Sequence, residues 1–161
     1  MRHEIKLQYR EPVLVLAKRL EVTLPTIGPA LGAAFGDVYA SHAAREANPD
    51  GPPFVIYHGV PEGDASFEVE VCAPVRRAAT EPPVGWRSAE LPGGMFATLL
   101  HIGPYDSIGA GYTEMWSWIE TQDLAVAGPP REVYLSDPST PPEQIRTVIE
   151  FPVAEVAAAV R

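Results

Sequence analysis

The sequence holds a single cysteine, Cys72, so no intrachain disulfide can form. It has no run of 18 or more apolar residues, which excludes a helix of membrane-spanning length. The start, Met1-Arg2-His3-Glu4-Ile5-Lys6, alternates charged and apolar residues and lacks the apolar stretch of a signal peptide. A cytoplasmic protein with no membrane partner is expected. Basic residues are scarce, 12 Lys and Arg against 21 Asp and Glu, for a formal charge of −9. Such a surface repels polyanions, so no direct nucleic-acid partner is expected, and it favours cationic ligands. The four histidines, His3, His42, His58 and His101, form no HxxxH or HExxH pair. No Walker motif, no GxGxxG after a strand and no GxSxG elbow is written. Neither a metal nor a cofactor is expected.

What the sequence does have is 18 prolines and 13 glycines, which cut it into short elements and argue against a helical bundle. With 46% hydrophobic and 20% charged residues among 161, the composition is that of one globular domain spanning residues 1–161.

A repeat runs through it. Phe54-Val55-Ile56-Tyr57 is followed by a turn and then a strand pattern over residues 67–75; Glu132-Val133-Tyr134-Leu135 is followed by a turn and then a strand pattern over 146–153. Upstream, Ile27, Leu31, Ala34, Phe35 and Val38 stand at helical spacing, and Ile108, Tyr112, Met115, Trp116 and Ile119 repeat them at a constant offset of 81. Each helix follows an apolar strand, 13–17 or 95–102. The fold class is therefore α+β, with a β-α-β-β module used twice, over about 5–76 and 86–153. Two copies related by a pseudo-twofold would share antiparallel sheets with two main helices, and a cleft is expected at their seam. Alternation along 67–75 puts Phe67, Val69, Val71, Ala73 and Val75 on one face and Glu68, Glu70 and Cys72 on the other, the pattern of a half-buried strand. Thr23 or Thr26 is expected to cap the first helix and Asp106 or Ser107 the second, with Pro29 near the first helix start. Loops are expected at 47–53, 61–65, 80–85, 128–130 and 137–142, and a short helix or frayed tail at 154–161.

Cys72 shares its strand face with two glutamates, which disfavour a thiolate, so it is expected to be structural. If residues 132–135 form a strand, Glu132 and Tyr134 share a face, and the matching strand presents Val55 and Tyr57 there. Two readings stand: a carboxylate among aromatic walls, or a solvated charge on an edge strand. Tyr105 follows the Gly103-Pro104 turn and is expected to point to the seam. Phe35 and Trp116, with Tyr39 and Tyr112 on the same helices, could be core residues or cleft walls.

Phe54-Val55-Ile56-Tyr57-His58, Glu68-Val69-Glu70-Val71, Leu91-Pro92-Gly93-Gly94, His101-Ile102-Gly103-Pro104-Tyr105-Asp106, Arg131-Glu132-Val133-Tyr134-Leu135 and Phe151-Pro152-Val153 occur in an order that resembles the GyrI-like small-molecule-binding family. This is the effector-binding domain of some AraC-type and MerR-type multidrug regulators. The resemblance covers roughly residues 5–153. It implies two fused modules with a central groove that takes lipophilic, often cationic, compounds between aromatic walls. It further implies a buried glutamate facing the cation, at the position of Glu132, with Tyr134 a neighbouring wall residue and Phe35 the helix aromatic. The 161 residues leave no room for a helix-turn-helix domain, so a stand-alone member is expected. Binding, for sensing or sequestration, is the leading functional expectation. Two alternatives follow from the same resemblance: a hydrolase that opens the cyclopropane of DNA-alkylating toxins, with Glu132 acting on water, and a protective protein that touches gyrase. A separate regulator is a further candidate partner.

Overall fold

The computed structural model describes residues 3–156. The chain forms two compact units, one continuous, Pro12–Pro92, and one discontinuous, Met1–Glu11 with Gly93–Arg161. No helix among the described residues is long and apolar enough to cross a membrane.

The continuous unit runs β2 (Val13–Val22), α1 (Leu24–Tyr39), α2 (His42–Ala47), β3 (Phe54–Tyr57), β4 (Phe67–Pro74) and β5 (Arg87–Leu91). Its strands lie antiparallel in the order β3-β4-β2-β5. Thr23 is the α1 cap: its backbone N–H donates to Thr26 Oγ1 at 2.9 Å, a local closure of the helix start. Pro25 takes the early position where proline is tolerated, whereas Pro29 lies a turn further in and the helix runs through it. The helix buries Ala34 and Val38 against Leu16, Val71 and Ala73. The expectation of a half-buried β4 is corrected, because Glu70 and Cys72 on its second face are as buried as Val69 and Val71. A charge so placed needs partners. Glu70 accepts a bond from His58 Nε2 at 2.9 Å and one from the Arg87 guanidinium, with Arg19 4.0 Å away.

The discontinuous unit contains β1 (Ile5–Arg10), β6 (Gly94–Ile102), a 3₁₀ turn (Tyr105–Ser107), α3 (Gly109–Thr121), β7 (Leu124–Val126), β8 (Arg131–Tyr134) and β9 (Arg146–Glu155). The order is β1-β6-β9-β8, and β7 joins the far end of β9. Asp106 and Ser107 do not cap the helix as expected; they form the 3₁₀ turn, and α3 starts two residues later. Met115 and Ile119 are buried against Ala97, Leu99, Ile149 and Phe151. Helix and sheet meet so closely at Gly111 that a Cβ there would stand 3.0 Å from Ile149 Cδ1 and 3.2 Å from Leu99 Cδ2.

The repeated β-α-β-β module is present in both units, with one exchange. β1 precedes β2 in the chain but pairs with β6, while β5 precedes β6 but pairs with β2. The segment 5–10, which fell within the bounds of the first repeat but was not read as a strand, thus completes the sheet of the second. Of the expected tail at 154–161, residues 154 and 155 belong to β9, and 157–161 lie outside the described residues.

Candidate functional site

β8 is four residues long, and its register on β9 sets the site: Glu132 opposes Ile149 and Tyr134 opposes Thr147. Alternation sends Glu132 and Tyr134 to the face on which Ile149 and Phe151 join the α3 core. There Glu132 is buried, 6% exposed, which excludes the solvated-edge reading. The Tyr112 hydroxyl, delivered by α3, donates to Glu132 Oε2 at 2.5 Å, and the Tyr134 hydroxyl donates to Oε1 at 3.0 Å. Bonds from hydroxyl to carboxylate are charge-assisted and about twice as strong as neutral ones. Both donors are neutral hydroxyls.

The 3₁₀ turn adds Tyr105. Gly103 holds φ at +139°, a region side chains rarely adopt, and turns the chain so that Tyr105 meets Tyr134 edge-to-face at 5.9 Å between centroids. Burial raises the Tyr105 hydroxyl pKa and the nearby Glu132 charge adds to the rise, against an opposing effect of Thr147. Tyr112 and Trp116 both pack edge-to-face on Phe151, at 5.9 and 5.0 Å, and Trp116 keeps about half its surface in solvent.

Five of the residues singled out by sequence, Glu132, Tyr134, Tyr105, Tyr112 and Trp116, are therefore gathered within one unit. The other four, Tyr57, Val55, Phe35 and Tyr39, belong to the continuous unit. There Tyr57 stacks on Phe67 at 6.4 Å and Val55 is fully buried. Phe35 stacks on Tyr39 at 6.4 Å, and both pack against the α1 core. Burial pushes the Tyr39 hydroxyl up to about 12.

The duplication supplies an internal control. Position for position, the continuous unit has Val55 for Glu132, Leu31 for Tyr112 and Leu24 for Tyr105. It also has Val69 for Thr147 and Leu20 for His101, with the same cross-strand register in both units. The fold closes this layer with apolar side chains in one copy, so the polar set in the other is not required for packing. Thr147 and His101 were not among the candidate residues read from the sequence; setting Val69 and Leu20 beside them was the signal available.

No curated protein matches the chain. Among solved structures, the EcmrR C-terminal domain is similar with a TM-score of 0.76 at 23% identity, covering 97% of this chain and 100% of that one. A hydrolase from Listeria innocua gives 0.67 at 14% identity, covering 94% and 92%. SAV2435, solved with tetraphenylphosphonium bound, gives 0.62 at 15% identity, covering 98% of each chain. At these identities the likeness is one of fold. The family model of the GyrI-like small molecule binding domain matches residues 3–154, so the chain belongs to the GyrI-like family of small-molecule-binding domains.

Proposed function

We propose that the chain binds lipophilic aromatic cations at Glu132, as a multidrug-type sensing or sequestering protein. The observation that carries this is the buried Glu132 carboxylate, held by the Tyr112 and Tyr134 hydroxyls beside the ring of Tyr105. A carboxylate attracts a cation, and ring faces add about 0.5–2 kcal/mol per contact depending on desolvation. The bound tetraphenylphosphonium of SAV2435, a protein of the same fold, supports the ligand class. Titration with tetraphenylphosphonium and with its neutral isostere tetraphenylmethane tests it. The cation is expected to bind more tightly, and Glu132→Gln is expected to weaken it by about 1–3 kcal/mol while changing the neutral compound little. Equal affinities of wild type and Glu132→Gln for the cation overturn the assignment.

A second reading rests on the same carboxylate. Glu132 with phenolic hydroxyls on both oxygens could hold a water for attack on a strained electrophile. Loss of the cyclopropane absorbance of a DNA-alkylating substrate in wild type, but not in Glu132→Gln, is the outcome that favours it over binding alone.

A further inference from the structure

The layer that holds Glu132 has a second polar part. Tyr134 opposes Thr147, and Thr147 in turn opposes His101 on β6, so three polar side chains form a row across three strands. Thr147 is fully buried and His101 is 4% exposed. Thr147 Oγ1 and His101 Nδ1 have no hydrogen-bond partner among the described residues. The Tyr105 hydroxyl lies toward Thr147 without meeting hydrogen-bond geometry. The imidazole Nε2 stands 3.0 Å from the Pro104 carbonyl oxygen, an acceptor, so Nε2 carries the hydrogen. In the neutral ring Nδ1 is then a bare lone pair, an acceptor buried from solvent.

Two unmatched polar atoms on facing residues of neighbouring strands are costly in a core, and the continuous unit avoids the cost with Val69 and Leu20. We propose that Thr147 Oγ1 and His101 Nδ1 form a polar subsite next to Glu132 that takes a hydroxyl or N–H donor of the ligand. The donor hydrogen goes to Nδ1 and the Thr147 hydroxyl closes the pair. Tyr105 is half exposed and packs edge-to-face with Tyr134 beside the row. The inference rests on the small-molecule reading of this site and adds a feature to its ligand: an aromatic ring bearing a donor group, as in a phenol or an aryl amine.

The test uses phenol and toluene, which match in size and carry no charge. In the full chain labelled with ¹⁵N-histidine, phenol is expected to shift the His101 Nδ1 resonance and toluene to leave it in place. Thr147→Val, the residue the twin module uses, is expected to fold as stably as wild type and to weaken phenol about 3- to 10-fold relative to toluene. Equal binding of the two probes, an unchanged ratio in Thr147→Val, or no phenol binding up to its solubility overturns the subsite. Phenol binding that leaves Nδ1 unmoved does so as well. Because both probes are neutral, a failure of tetraphenylphosphonium to bind ends the cation reading of Glu132 without touching this result.

Discussion

Three glutamates are buried among the described residues, Glu70, Glu132 and Glu150, and they differ in the groups that bond them. Glu70 meets His58, Arg87 and Arg19; Glu150 meets Arg10; Glu132 is bonded by phenol hydroxyls. Burial raises the Glu70 pKa, but the bonds from His58 and Arg87 and the charges of Arg87 and Arg19 outweigh it and hold the group below its ordinary value. A depressed pKa contributes stability above the unfolded value, near 4.3, and that stability is lost as pH falls through the folded pKa. Glu70→Gln should therefore cost about 1–3 kcal/mol at neutral pH, since the half-exposed arginines can turn to water. It should also flatten the fall of stability between about pH 5 and 3. Urea unfolding at both pH values checks this; the same acid dependence in both proteins would rule Glu70 out as its source.

The elements show what a helix glycine does on an exposed face and on a packed one. Gly32 of α1 is exposed and has open space where a Cβ would stand, while Gly111 of α3 is buried and faces Ile149 and Leu99, both packed in the core. Alanine is the better helix former by about 1 kcal/mol. Gly32→Ala should thus stabilise by about 0.4–1 kcal/mol. Gly111→Ala carries the same propensity gain, but its Cβ presses on the terminal methyls of two buried side chains. Overpacking of that kind costs about 1–3 kcal/mol, and the net effect should be destabilising. Opposite shifts of the thermal midpoint in the two variants are expected; a stabilised Gly111→Ala would mean that the α3 interface yields.

At the scale of the whole molecule, the exchange of β1 and β5 decides which segments fold as one. The discontinuous unit draws its edge strand from the N-terminus, and Arg10 at the end of that strand donates from Nε and Nη2 to Glu150 Oε2 at 2.8 and 2.5 Å, reaching past β6 to β9. Arg10→Ala takes both of these bonds from a carboxylate that is 4% exposed, with an expected cost of about 2–4 kcal/mol. Adding Glu150→Gln should recover part of it, because an amide loses less than a carboxylate when the guanidinium is removed. Hydrogen exchange should place the opening in β1 and β6; unchanged protection there would show that the pair does not hold the strand.

The sequence by itself determined the duplication, the strands of β3, β4, β8 and β9 and the two helices, because alternation and helical spacing are local and recur at a fixed offset. It also marked Glu132 as the carboxylate on the Tyr134 face, since faces follow from period two. It left open whether that charge was solvated, because burial depends on where α3 lies over the sheet and on Tyr112 reaching Glu132 from a distant segment. β1 and β5 were not foreseen, for edge strands carry mixed residues and pair with partners some 90 and 70 positions away. The second face of β4 read as solvent-exposed because charge on alternate positions usually means water; only the tertiary structure brought His58 and Arg87 to Glu70. The polar row of Thr147 and His101 was likewise hidden, since two residues 46 positions apart become neighbours only through the β6–β9 register.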